Sequence, residues 1–244
     1  MPNPPRKFRS KPSTKNLIRT LSKLGLCSRT QALVHVQAGR VTVNGRCVKE
    51  PGYVVRKTDV IQLNGETVRT QAKRYFLFHK PAGCVTTRSD EKGRKTVYDY
   101  LKGIPDWIAP VGRLDLDSEG LLVFTNDTDF AHRLTEPKFQ VKRTYEVWVQ
   151  GALGVEDTKK ISVGMDIGQG ERSQPARFRI LASGEVSRGE IKLTEGKNRE
   201  VRRIFEALGK PVTRLLRTAY GPFVLGSLPE GQWKEIFQSP DGHF

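Results

Sequence analysis

Two carboxylates stand at the entrance to an apolar run. In residues 111–127, Val-Gly-Arg-Leu-Asp-Leu-Asp-Ser-Glu-Gly-Leu-Leu-Val-Phe-Thr-Asn-Asp, both Asp115 and Asp117 lie in a polar segment ending at Gly120. Residues 121–124 are then apolar without a break, the pattern of a strand buried on both faces. Thr125, Asn126 and Asp127 close it as a turn or helix cap. A rigid element can aim a carboxylate placed there, and Arg113, two residues before Asp115, would keep it ionised. A two-carboxylate glycosidase needs its acids roughly 5–9 Å apart on opposite sides of the sugar, which close sequence neighbours rarely achieve. One catalytic carboxylate is expected, not a dyad. A tyrosine in an alternating segment around Tyr145 and a cluster of arginines near residue 200 complete the chemistry-bearing set.

Other chemistries lack their residues. His35, His79, His132 and His243 are scattered, with no HExxH and no His/Cys cluster, so no metal is expected. No Walker lysine loop, GxGxxG or GxSxG occurs, and no cofactor is expected. Cys27, Cys47 and Cys84 fit neither a disulfide framework nor a metal site, which suits a reducing cytoplasm. The chain has no apolar run long enough to span a membrane and no secretory h-region at its start.

The net charge of +16 is unevenly placed. Residues 1–74 carry 16 Lys/Arg against three Asp/Glu, whereas the remaining 26 basic residues are nearly matched by 23 acidic ones. Such asymmetry points to a polyanionic partner for the first third. Residues 1–14 mix Pro, Lys, Arg and Ser and are expected to be a disordered basic tail.

Residues 15–66 read as a small domain. Leu17, Leu21 and Leu24 give a helix stopped by Gly25, and Ser28 caps a second helix with Ala32, Leu33 and Val36 on one face. Val41-Thr42-Val43 and Arg46-Cys47-Val48 flank Asn44-Gly45 as a hairpin, and residues 59–63 form another strand. The segments Leu24-Gly25-Leu26-Cys27-Ser28-Arg29, Ala38-Gly39-Arg40-Val41-Thr42-Val43-Asn44-Gly45 and Asp59-Val60-Ile61 resemble the alpha-L RNA-binding domain shared with a small-subunit ribosomal protein. The resemblance implies that Lys15, Arg19, Lys23, Arg29, Arg40 and Arg46 meet RNA phosphates.

Residues 67–74 are expected to link this domain to a second, residues 75–237, with a flexible tail at 238–244. The second begins with a strand at residues 75–78, ended by His79-Lys80-Pro81-Ala82-Gly83. Lys80 is open to two readings, an RNA contact or a solvated turn residue. Residues 88–95 read as a loop and 96–101 as a short helix. Asp127 caps a helix through Phe130, Ala131 and Leu134. Residues 143–149 alternate, placing Tyr145, Val147 and Val149 on one face. A helix at 155–163 and strands at 177–181 and 190–193 follow. Asn198 is expected to cap a helix over residues 199–208, with Val201, Ile204, Phe205 and Leu208 inward and Arg199, Arg202 and Arg203 outward. Leu215 and Leu216 lie in a last strand. The fold class is α+β, built on one long, mostly antiparallel mixed sheet flanked by helices.

Four segments in order carry a second resemblance. Gly112-Arg113-Leu114-Asp115 followed by Ser118-Glu119-Gly120-Leu121-Leu122 resembles the catalytic motif of the RsuA-like pseudouridine synthases. His79-Lys80-Pro81-x-Gly83 is similar to that family's first motif and Lys142-Arg143-Thr144-Tyr145 to its tyrosine motif. Glu195-Gly196-Lys197-Asn198-Arg199-Glu200-Val201-Arg202-Arg203 is similar to its last. The resemblance implies that Asp115 is the catalytic aspartate, that Tyr145 stacks on the target base and assists a proton step, and that Arg202 pairs with Asp115. It also implies that Arg113 holds the strand from which the base is extruded, with Lys197, Arg199 and Arg203 nearby on RNA. Leu215 would supply an apolar contact, and Asp117 is left to turn structure.

The implied reaction is an isomerisation, which needs no redox cofactor or energy source. Unstacking the base costs a few kcal/mol, and stacking on Tyr145 returns about 1–3 kcal/mol. Asp115 would act as nucleophile at the sugar carbon or as base on a ribose proton; the sequence leaves both open. The expected partner is ribosomal RNA or an assembly intermediate, with the arginine-rich motif leaning to the large subunit, and the expected state is a monomer. Two rival readings are a non-catalytic ribosome-assembly factor and a hydrolytic N-glycosidase that releases free uracil.

Overall fold

The computed structural model describes residues 15–104 and 106–237. The expected tails at 1–14 and 238–244 lie outside them. The chain divides into two compact units between Ala72 and Lys73.

In the first unit β1 (Lys15–Asn16) leads into α1 (Leu17–Lys23) and α2 (Arg29–Gln37). Ser28 and Gln31 form a reciprocal capping box at the start of α2. Next come β2 (Val41–Val43), β3 (Arg46–Cys47), β4 (Val54–Val55), β5 (Ile61–Leu63) and β6 (Glu66–Thr67). Asn44-Gly45 and Asn64-Gly65 both have positive φ at each residue, the requirement of a type I′ hairpin turn. Leu17, Leu21, Ala32, Val36, Val41 and Val43 close one small core. The expected linker at 67–74 is shorter than the sequence suggested. Thr67 pairs in β6, Val68 packs on this core, and Arg74 belongs to the second unit through ion pairs with Glu235 and Asp106. Arg19, Arg29, Arg40 and Arg46 are exposed, and Lys23 is half-buried. The side chain of Lys15 lies outside the described set.

The second unit is built on β7 (Tyr75–Lys80), β8 (Ala109–Pro110), β9 (Glu119–Thr125), β10 (Arg143–Gln150), β11 (Arg177–Ala182), β12 (Val186–Leu193), β13 (Val212–Tyr220), β14 (Phe223–Val224) and β15 (Trp233–Ile236). The main sheet runs β11-β12-β10-β13-β9-β7-β15. Every neighbouring pair is antiparallel except β13 and β9, which are parallel. Strand β9 is buried on both faces, as its apolar run requires. Leu121 and Val123 pack towards α3 (Thr128–Thr135), and Leu122 and Phe124 pack towards a 3₁₀ turn at Val97–Tyr100. Asp127 caps α3, its Oδ1 accepting from the Asp129 and Phe130 amides at 3.1 Å each. Helices α4 (Val155–Val163) and α5 (Glu200–Ala207) cover the other half of the sheet, where Ile161, Ile204 and Phe205 meet Val147, Val149 and Leu215. Among the described residues no helix is long and apolar enough to cross a membrane.

The parallel junction is short. Glu119 pairs with Leu216 and Gly120 with Arg217. Since Gly120 also pairs with Lys80, and Arg217 with Tyr145, one line of residues crosses four strands: Lys80, Gly120, Arg217, Tyr145. Gly120 has φ of 106°, and a Cβ there would collide with the Arg217 backbone. A side chain at this position therefore meets both a backbone clash and an unfavourable dihedral. Gly120→Ala should cost about 3 kcal/mol of stability, read as a lowered urea midpoint. An unchanged midpoint would mean that the junction is not held closed by the glycine.

Candidate active site

The loop that carries Asp115 is pinned from beneath by a lysine. Lys80 is fully buried. Its Nζ donates to the carbonyls of Pro81 (3.0 Å), Asp115 (2.9 Å) and Ser118 (2.8 Å). An ammonium has three N–H groups, so all are satisfied without a counter-ion in contact. Burial pulls Lys80 below the ordinary lysine range, against the field of Asp115, Asp117 and Glu119. Thr86 Oγ1 donates to Leu114 O at 2.8 Å, and Gly83 N donates to Leu116 O at 2.8 Å. Neither sequence reading of Lys80 survives. It is not an RNA contact or a solvated turn residue, because β7 carries it into the core at the register of Gly120.

The arginines fall differently from the sequence expectation. The helix was expected to start at residue 199 under an Asn198 cap; instead Arg199 has φ of 49° and α5 starts at Glu200. Arg199 is thereby turned off the helical face and onto the loop. Its Nη1 lies 3.9 Å from Asp115 Oδ2, and it holds Asp117 through both nitrogens at 3.3 and 3.0 Å. Arg202, expected on Asp115, grips Asp117: Nε is 3.2 Å from Oδ2 and Nη2 donates to the Asp117 carbonyl at 2.9 Å. Asp117 is thus the anchor of the arginine pair, more than a turn residue. Burial alone would raise its pKa, but the Arg199 hydrogen bonds and the charges of both arginines outweigh that, and it sits below the usual carboxylate range. Asp115 remains half-exposed, with Arg199 at 3.9 Å as a long ion pair, and is fixed through its own carbonyl.

Asp115 opens onto a cavity of about 500 Å³. Tyr145, Leu215 and Arg217 contribute its floor from β10 and β13, and Arg199 and Glu200 border it at the start of α5. Tyr145 is half-buried and packs against the apolar clusters on either side. Arg113 is exposed, lines the cavity and has no ion pair among the described residues. It therefore does not neutralise Asp115. Lys197 also lines the cavity, but its Nζ is tied to Arg172 O at 2.6 Å and to Glu195 at 2.9 Å. Arg203 is not available to RNA. Its guanidinium binds the carbonyls of Ile167 and Gly168 and the Glu171 carboxylate, fixing the loop beneath α5.

Glu200 is a cavity group the sequence reading missed. It is buried, and its Oε2 accepts from Lys197 N at 3.0 Å. Burial, together with the Glu195 carboxylate beside it, pushes Glu200 up to about 8, so it is protonated at neutral pH. The only sequence signal was its phase, since Glu200, Ile204 and Val201 fall on the inward side of α5.

A family model described as RNA pseudouridylate synthase matches residues 74–207, and an S4 domain model matches residues 16–61. The chain belongs to the RNA pseudouridine synthase family.

It falls in the RsuA-like branch that the sequence motifs indicated. The chain is 38% identical to the ribosomal large subunit pseudouridine synthase B of Bacillus subtilis, over 90% of this chain and 91% of that one. It is 37% identical to the protein of the same name from Yersinia pestis, over 90% of this chain and 72% of that one. A solved pseudouridylate synthase structure superposes with a TM-score of 0.65 at 28% identity, covering 91% of this chain and 96% of that one. The synthase is an isomerase, and the α+β fold with an S4 domain in front is the one expected.

Two outcomes follow from the geometry. Lys80→Met leaves three loop carbonyls without a donor and should destabilise the synthase by roughly 3 kcal/mol, seen in urea unfolding together with loss of activity. Full stability of that variant would show that the clamp is dispensable. Glu200 has a raised pKa in the folded state, so its stabilising contribution is present at low pH and is lost as pH rises through about 8. Glu200→Gln should gain in melting temperature relative to the parent as pH rises from about 5 to about 8, with no further gain above that. A difference independent of pH would place the titration elsewhere.

Proposed function

We propose that the synthase converts a uridine of large-subunit ribosomal RNA to pseudouridine, with Asp115 as the catalytic carboxylate and Tyr145 as the surface on which the extruded base stacks. The single observation that carries this reading is the shared cavity. Asp115, on a clamped loop, and Tyr145, on a central strand, border one space beside Arg199. The names of the Bacillus and Yersinia relatives support the large-subunit assignment.

The chemistry uses what the cavity holds. The bond from ribose C1′ to N1 of uracil breaks and a bond from C1′ to C5 forms. Asp115 acts at the ribose, as nucleophile on C1′ or as base on a ribose proton. Arg199 is the cation nearest to its carboxylate, with Nη1 3.9 Å from Oδ2. Arg202 and Asp117 position that arginine and the loop; this corrects the direct Arg202–Asp115 pairing. Tyr145 and Leu215 offer the detached base an aromatic face and an apolar wall. Arg113, exposed at the cavity, contacts the strand from which the base leaves. Exposed Arg19, Arg29, Arg40 and Arg46 of the S4 domain bind RNA phosphates.

Asp115→Asn should make no pseudouridine while binding ribosomal RNA as the parent does. Primer extension stopped at carbodiimide adducts, in cells with and without the gene, should lose one stop in large-subunit RNA. Turnover by Asp115→Asn would refute the carboxylate's role, and loss of a small-subunit stop would refute the substrate.

A further inference from the structure

Arg217 lines the cavity from β13 and carries a charge that no carboxylate among the described residues pairs with. It is 2% exposed. Its Nε donates to Leu121 O at 2.8 Å, and its guanidinium lies 4.8 Å from the centre of the Tyr220 ring. Its Nη2 is buried and has no hydrogen-bond partner. Arg143 lies 5.0 Å from the same ring, with Nη2 3.4 Å from the Tyr220 hydroxyl. Among the described residues no carboxylate forms an ion pair with either arginine. Two guanidinium groups therefore share one aromatic ring on the cavity wall. Removing an unpaired charge from water costs several kcal/mol, so an anion arriving in the cavity would gain strongly from this one.

Which anion follows from depth and register. Arg217 is the direct cross-strand neighbour of Tyr145, and side chains so paired have Cβ atoms about 5 Å apart on one face of the sheet. A group buried this far meets what enters deepest, which is the base. Phosphates keep to the mouth, where Arg113 and Arg199 are exposed.

We propose that Arg217 is a catalytic residue that donates from Nη2 to a uracil carbonyl, O2 or O4, and stabilises the negative charge gathering there as the C1′–N1 bond breaks. The inference rests on the proposed stacking of the base on Tyr145. The bonding pair of C1′–N1 passes into the uracil ring, which becomes a monoanion with charge on N1, O2 and O4. Its electrons return when C5 attacks C1′, and the proton leaving C5 is replaced, through solvent, by one taken up at N1. No oxidant or co-reactant enters. A donor aimed at an oxygen whose charge grows during the reaction acts on the rate more than on binding.

The test is single-turnover kinetics on a ribosomal RNA fragment holding the mapped uridine, as uridine, 2-thiouridine or 4-thiouridine. Arg217→Gln should slow the wild-type substrate by about 10²–10³-fold with RNA affinity unchanged. In the parent enzyme one of the two thio substitutions should slow turnover by about tenfold more than in Arg217→Gln, which identifies the oxygen contacted. Equal thio effects in parent and variant, or an unchanged rate in the variant, would overturn the proposal alone. A parent enzyme that makes no pseudouridine would overturn the proposed function as well. Should circular dichroism show Arg217→Gln unfolded, Arg217→Lys, which keeps the charge and lacks Nη2, gives the same comparison.

Discussion

The site depends on a two-residue parallel contact in an otherwise antiparallel sheet. Glu119 and Gly120 of β9 meet Leu216 and Arg217 of β13, and among the described residues no other strand pairing joins the two halves of the sheet. Because strand pairing fixes register, this contact sets which residues stand in line across the middle. Lys80, Gly120, Arg217 and Tyr145 fall in that line, each from a different strand. A slip of one residue would turn the ammonium, the guanidinium and the phenol to other faces. The missing side chain at Gly120 lets β13 approach at the point where the Asp115 loop enters β9.

Charge around the cavity is handled in three physically distinct ways. Lys80 is buried among carbonyls, which satisfy its N–H groups without an ion pair. Asp117 takes the two arginines that approach the loop, leaving Asp115 with only the edge of Arg199. Arg143 and Arg217 are set against the Tyr220 ring, whose negative face attracts a cation but cannot discharge it. The result is a cavity whose fixed cations exceed its carboxylates in contact with them, lined beside a protonated Glu200. Such a space suits a polyanionic nucleic acid outside and a transiently anionic base within.

Local rules fixed much of the fold. Asn-Gly turns at residues 44–45 and 64–65, the Ser28 cap, the Asp127 cap and the uninterrupted run at 121–124 each appear where a short-range physical preference put them. The elements that escaped notice, β1, β4, β6, β8, β14 and β15, are two to four residues long. Such pieces have no period to read and exist because a distant partner pairs with them. The helix start at residue 199 was misread because its asparagine looked like a cap, whereas the backbone takes a left-handed turn there.

The sequence by itself determined the family, the order of the motifs, the strand that leads away from Asp115 and the basic character of the first domain, because these are properties of residues close together in the chain. Only the tertiary structure decided the partners of the long polar side chains. Lys80 reads as a surface residue beside a proline, and Arg202 as the natural mate of Asp115. Lys and Arg reach several ångströms, so their contacts depend on which strands lie beside them. Lys80 finds the carbonyls of residues 115 and 118, and Arg217 finds Leu121 O, across separations of 35 to 96 residues. No local pattern carries that information, since it is created when β9 is laid between β7 and β13.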